Sequence, residues 1–461
     1  MALLALPLLL GLLTTPPTAA LTRPMGDMAH RRIACARRPA FPLARASLCA
    51  AAGGAERPVI PPWLLLAMVF THVLSNALLS QAVPTAMLGA MKNDRVATAH
   101  ALGRLSACGA MIDILVAPQL GRLSDAIGRK PLLIALPCIA LLLRSVAASF
   151  PSIAVIAPIK AMSATLSSGF LLSLRASLAD QYRKDTETLT GRLGLISAAN
   201  GAAHAGGLFL GGQLVARSLR LPYAASSALL GILVSLLLLR LRESLPRAQR
   251  IAFRWRTPAF SFVRLFRSGP SLRRLASIST LQTISISMGD TWQVFARELR
   301  GWGAVECGQY GSLTGLGSML SALLVKRSVQ RVGARRHTLL ATGCVGVTEM
   351  GLGCIPSQRG VFLTLLPNWI GRTQTVALSA RITTVGAAVG YTQGCLAGDR
   401  QNLQALLKAL CPILYSYLFA LGCRIGRPEL PFVTAASFSA MAVLLVFLSS
   451  RTVWSDAVEE E

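Results

Sequence analysis

Residues 116–133 read VAPQLGRLSDAIGRKPLL and set Arg122, Asp125, Arg129 and Lys130 close together between two apolar runs. Such a cluster is either a junction between buried segments or a centre with chemistry of its own, and the surrounding composition bears on which. The 461 residues are 53% hydrophobic and 14% charged, with a mean hydropathy of +0.55, which are membrane values. A net charge of +27 would in a soluble chain point to nucleic acid. Here the basic residues stand mainly between apolar segments, the bias that fixes topology in a bilayer, so lipid is the expected surrounding and nucleic acid is not an expected partner. The ten cysteines are scattered, without a C-x-x-C pair and mostly within apolar runs. They read as small buried hydrophobes, and no disulfide framework, metal or cofactor is expected.

Working outward from the charged stretch, runs of about 20 mostly apolar residues, long enough to cross a bilayer, occur twelve times. They fall near 63–86, 98–119, 131–149, 152–178, 191–216 and 222–240, then near 275–296, 305–325, 337–356, 360–382, 401–422 and 429–449. The reading is an all-α membrane protein with an N-terminal six-helix bundle (63–240), a basic connector (241–274), a C-terminal six-helix bundle (275–450) and an acidic tail (451–461). Ten arginines lie between Arg240 and Arg274 against the single acid Glu243. That places the connector on the cytosolic side, or the stromal side of a plastid membrane, together with loops 119–131, 179–191, 326–336 and 383–400.

The charged stretch recurs. GRLSDAIGRK at 121–130 falls in register with KRSVQRVGAR at 326–335: Arg122 matches Arg327, Gly128 matches Gly333, and Asp125 becomes Gln330. A worn second copy implies two related halves with a cavity between them. GRLSDAIGRK resembles the signature loop of the major facilitator superfamily. VAPQLGRLSDAIGRKP, GRLGLISAANGAAHAGGLFLGG at 191–212 and LRESLP at 241–246 are similar to the second, fifth and sixth spans of its tetracycline-resistance group of drug:proton antiporters.

That resemblance implies twelve transmembrane helices in two pseudo-symmetric bundles and transport by alternating access. It also implies a gate made by Gly121, Arg122, Asp125, Gly128, Arg129 and Lys130, with Asp180 at the end of the fourth span as the partner of Arg129. The residue types suit a gate, since glycines let backbones pass closely at tight loop ends and a carboxylate is favoured at a helix N-terminus. The chain also departs from the group. The fifth-span proline is missing, leaving Gly207, Gly211 and Gly212, whose spacing supports close helix packing. The usual first-span Asp falls on His72 and the usual fourth-span Arg on Lys160. Kinship implies proton coupling, and these residues argue against it.

An ionisable group at mid-bilayer costs roughly 2.5–3.5 kcal/mol on insertion scales, so each is a candidate for function. His72, Asn76 and Ser80 recur every four residues as one polar stripe of the first span, and Asn200 and His204 do the same on the fifth. His72, Asn76, Asn200 and His204 form the expected substrate-binding set with Lys160, Gln282 and Arg372; for each histidine the competing reading is an interior hydrogen-bonder. Asp113 falls near the cytosolic side and Asp290 near the far side, leaving no carboxylate at mid-depth. The expected small-molecule solute is therefore anionic or neutral, and protons are the expected coupling partner. Arg144 and Glu349 occupy equivalent places on the third and ninth spans, which the resemblance makes peripheral, so each is expected to have a structural role within its own half.

Together these features predict a monomeric secondary active transporter of a small organic solute, working by proton-coupled efflux. The alternatives are an energy-independent facilitator and a transporter-like sensor or scaffold. H-E-x-x-H, G-x-S-x-G and Walker sequences are absent, which excludes the corresponding hydrolases and a self-contained ATP-driven pump; no enzymatic activity is expected.

Residues 1–60 read as a targeting leader. Residues 1–20 are signal-like, and 21–57 carry seven arginines against Asp27 and Glu56, as transit peptides do. The expected address is a plastid membrane, with the plasma membrane or another endomembrane as the alternative. Residues 1–57 fused to a fluorescent protein are expected to deliver it to plastids; retention at the endoplasmic reticulum or plasma membrane would reject the two-part leader.

Overall fold

Helices begin and end where local chemistry dictates. Pro61 and Pro62 open α1 (Pro62–Ala77), since proline, with no N–H to leave unbonded, suits the first helical turn. After a turn the first span resumes as α2 (Ala82–Ala90). Asp94 caps α3 (Arg95–Ile127) by accepting from the Ala97 amide at 2.9 Å. Then follow α4 (Arg129–Ser149), α5 (Ile153–Gln181), α6 (Thr186–Arg217) and α7 (Arg220–Arg240). The second half contains a short α8 (Val263–Arg267), a broken seventh span of α9 (Pro270–Ile286) and α10 (Thr291–Arg300), α11 (Ala304–Val332) and α12 (Ala334–Cys354). Its tenth span joins a 3-10 turn (Gly360–Thr364) to α13 (Leu365–Gly371) and α14 (Gln374–Ala388), and α15 (Gln393–Arg424) and α16 (Leu430–Leu448) complete it. These are twelve membrane-crossing rods, six in each half.

The computed structural model describes residues 60–182, 186–245, 250, 252–253, 255, 262–391, 393–450 and 452–454. The leader up to residue 59, much of the connector and the acidic tail beyond Trp454 lie outside the described residues. All the helices above belong to one unit, residues 59–461.

Two expected loops shrink to a single residue. The charged residues from 121 to 127 are not loop; they form the last turns of α3, and only Gly128 separates α3 from α4. Gly128 adopts φ +111° and ψ 164°, and its counterpart Gly333, between α11 and α12, adopts φ +81° and ψ 156°. Only glycine takes such angles without strain, so this turn survives in both copies although their charges differ. Gly121 lies inside α3, where a Cβ would stand 3.2 Å from the Leu172 side chain. Its role is packing between the second and fourth spans, which corrects its assignment to a loop end. The eleventh span starts earlier than expected, because Asp399 and Arg400 are already helical: the Asp399 carboxylate lies 3.4 Å from Arg264, and Arg400 donates to Ser379 Oγ at 2.5 Å.

The halves meet through small residues. A Cβ on Gly308 of α11 would fall 2.6 Å from the Leu208 carbonyl of α6, and one on Gly212 of α6 would fall 2.7 Å from the Ala304 carbonyl. Gly207 and Gly211 instead seat α6 on the first span, with notional Cβ contacts of 2.5 Å to Ala77 Cβ and to the Leu78 carbonyl.

Gly308→Leu is expected to lower the thermal-unfolding midpoint of the purified protein, since overpacking a close contact costs about 1–3 kcal/mol. Gly343, on α12, has open space around its Cβ position, so Gly343→Ala should be neutral or stabilising. Equal losses in both variants would refute the importance of this contact.

Candidate functional site: a central cavity and its two ends

On the connector side the charged stretch folds around Arg129, which is 7% exposed. Its Nη2 lies 2.7 Å from Asp125 Oδ1, its Nε donates to Asp180 Oδ2 at 3.0 Å, and its Nη1 donates to Ser124 Oγ at 3.1 Å. Asp125, in the last turn of α3, reaches Arg129, the first residue of α4, across the Gly128 turn. Glu243, where α7 gives way to the connector, accepts from the Arg129 amide at 2.9 Å and the Lys130 amide at 3.3 Å. It thus caps α4 at its positive end. A Cβ at Gly128 would fall 2.4 Å from that carboxylate, a second reason for glycine there. Arg122 donates to Gln119 Oε1 at 3.1 Å. Glu243 was not among the expected gate residues; its signal was its place as the only acid in the basic connector. The partners of Arg129 and Glu243 named here all belong to the first half and the connector.

At the opposite end, polar contacts join one half to the other. Arg95 pairs with Glu298, and Lys160 Nζ stands 2.5 Å from Asp290 Oδ2. Arg297 donates to Thr85 Oγ1 at 2.8 Å, and Gln293 donates to the Ser80 carbonyl at 3.3 Å. With the α6–α11 packing these contacts seal the far side.

Between the two ends lies a cavity of about 450 Å³. Asn200 and His204 of α6 face it from the first half, and Asp290, Tyr310, Glu349 and Arg372 face it from the second. The breaks in the first and seventh spans contribute Ser80, Gly289 and Asp290 to its wall, the kind of irregular backbone that membrane proteins keep for cavities. Seven described segments are long and apolar enough to cross a bilayer on composition alone. The five spans outside that set, α6, α9–α10, α11, α12 and α13–α14, supply most of the wall. Polar residues in the chain are thus gathered around this space.

The expected binding residues divide. Asn200, His204 and Arg372 are exposed to the cavity, and their side chains make no hydrogen bond or ion pair to any described residue. His72 and Asn76 turn away from it. His72 is 2% exposed, bonded through Nε2 to Ser167 Oγ at 3.0 Å and stacked on Phe170. Asn76 Oδ1 accepts from Arg144 at 2.5 Å. The cause is Arg144, buried in the first half, whose guanidinium also donates to Ser75 Oγ at 3.0 Å and Ser226 Oγ at 2.7 Å. A buried cation must be hydrogen-bonded, and this one draws the polar face of the first span inward. Gln282 is fully buried against α12, donating to Thr342 Oγ1 at 2.8 Å, outside the cavity wall. Lys160 sits in the far-side seal.

Two expectations about acids are corrected. Glu349 is not on a peripheral face: it lines the cavity with Arg372 as a charged neighbour in its own half. Asp290 lines it too, so the space is not free of carboxylates. The repeat made Glu349 the counterpart of Arg144 but did not give its direction.

Asp125→Asn is expected to express normally and to reduce transport, because an amide holds Arg129 less strongly than a carboxylate. Normal transport by Asp125→Asn, with loss in Arg122→Gln, would show the gate to be misassigned. Glu243→Ala should cost about 0.5–2 kcal/mol of stability through the lost cap, read from unfolding of the purified protein.

Comparison with known proteins agrees with this architecture. The profile described as Major Facilitator Superfamily matches residues 64–398. The chain is 25% identical over 375 residues to the class C tetracycline resistance protein of Escherichia coli, covering 77% of this chain and 89% of that protein. It is 24% identical to the class G protein of Vibrio anguillarum, covering 77% and 90%. Among solved structures, the human organic anion transporter MFSD10 (TETRAN) superposes with a TM-score of 0.62 at 17% identity, over 84% of this chain and 99% of that one. The nucleoside transporter NupG gives 0.65 at 12% identity over 84% and 99%. The chain is an integral, multi-pass membrane protein that belongs to the major facilitator superfamily.

Proposed function

We propose that this protein is a secondary active transporter that exports a small organic solute by proton-coupled alternating access, and that Arg372 binds an anionic group of that solute. The observation that carries the reading is the central cavity, sealed on the far side by residues of both halves, into which Arg372 points without a hydrogen-bond partner among the described residues. A guanidinium whose N–H groups find no hydrogen-bond acceptor among the described residues is favoured by an anion that supplies one, even with the Glu349 carboxylate as a charged neighbour. Asn200 and His204, equally unpartnered, face the same space from the other half, so a solute held among them touches both halves. Glu349 supports proton coupling as a carboxylate at the cavity wall beside the proposed anion site. The direction follows the resistance for which the bacterial relatives are named. The proposed membrane is a plastid's, on the composition of residues 21–57.

The test is flux through purified protein in liposomes, with a panel of organic anions, neutral solutes and cations, with and without an imposed pH gradient. An anion should be carried and the gradient should drive it. Arg372→Gln should abolish its binding, while Arg372→Lys, which keeps the charge and loses the planar fork, weakens it. Glu349→Gln should remove the response to the gradient. Flux indifferent to the gradient in the unmodified protein would establish a facilitator instead, and exclusive transport of cations would end the anion assignment.

A further inference from the structure

The far-side seal contains one ion pair whose acid also faces the cavity. Lys160 of α5, in the first half, holds Asp290 of the second at 2.5 Å. Asp290 stands where the seventh span is broken, directly after Gly289 at φ +63° and before the first residue of α10. Its side chain is 24% exposed, and it lines the cavity, so part of the carboxylate stays open to a molecule inside. The charged and titratable groups around it are Lys160, His204 of α6 and, on the other cavity walls, Tyr310, Glu349 and Arg372. His204 lies within electrostatic reach of both Arg372 and Asp290, and all three line the one cavity.

Resting on the reading that Arg372 takes an anionic group, we propose that Asp290 takes a cationic group of the same solute, and that Lys160 is the built-in occupant which this group displaces. The solute class is then amphoteric: a small molecule with an ammonium at one end and an anion at the other. The consequence for the cycle follows from competition. A carboxylate held by Lys160 ties the two halves together, and one held by the solute does not. Each ammonium bound therefore weakens the far-side seal, and each closure of the seal expels the ammonium, since linkage between binding and conformation is reciprocal. A plain strut behaves differently, because removing either partner of a strut leaves solute affinity unimproved.

The test uses full-length purified protein and three probes: benzylammonium, benzoate and 4-(aminomethyl)benzoate, with binding measured by calorimetry. Lys160→Gln should raise affinity for the two ammonium-bearing probes by roughly tenfold and leave benzoate unchanged. Asp290→Asn should weaken the same two and leave benzoate unchanged. Arg372→Gln should weaken benzoate and spare benzylammonium; failure there counts against the anion site and not against Asp290. Ammonium affinity unchanged or lowered in Lys160→Gln, or no ammonium binding in any variant, overturns the proposal. A second measurement needs neither substitution. Spin labels at Arg217 and Arg359, exposed positions at the far ends of the two halves, placed in a background freed of native cysteines, should move apart when benzylammonium is added and stay put with benzoate. An unchanged distance with benzylammonium also overturns it.

Discussion

Two helices from opposite halves touch almost backbone to backbone where Gly212 of α6 meets Gly308 of α11. Lipid offers no hydrophobic drive to bring helices together, so close packing has to supply the attraction, and small residues make that approach possible. The location of this contact fixes much else. It brings Lys160 within reach of Asp290 and Arg297 within reach of Thr85. It also leaves the cavity bounded by α6 on one side and by the second half on the other.

Within that frame, buried cations sort the polar residues by need. Arg144 consumes Ser75, Asn76 and Ser226, and Arg129 consumes Ser124, Asp125 and Asp180. Both are satisfied inside the first half. Arg372 makes no hydrogen bond to a described residue and has Glu349 as its charged neighbour at the cavity wall, and the difference between a guanidinium hydrogen-bonded within its own half and one open to a cavity separates scaffold from binding surface better than charge alone.

The sequence made the twelve spans legible because a bilayer imposes one length on every crossing, and made the Gly128 turn legible because its backbone admits no other residue without strain. It misjudged how far α3 runs, since Arg122, Leu123 and Ala126 continue a helix as readily as they fill a loop. Periodicity grouped His72 and Asn76 with Ser80, which the break after Ala77 carries into the cavity wall without them, and grouped Asn200 with His204. It could not say which pair would turn toward the cavity, because that depends on Arg144, 68 positions beyond Asn76. The Lys160–Asp290 pair joins residues with no sequence relation at all; only the packing of the halves creates it.

The five spans outside the long apolar set bear on how the second half holds together. Four of them, the seventh to the tenth, are consecutive, and the seventh and tenth are broken into shorter helices. They carry Gln282, Arg297, Glu349 and Arg372, groups tolerated at bilayer depth only once partners or an enclosed space receive them. The fold, not lipid, receives them: Gln282 donates to Thr342, Arg297 donates to Thr85, and Glu349 and Arg372 face the cavity. The same shortage of apolar residues that lets the second half hold a polar cargo ties each of these spans to its neighbours.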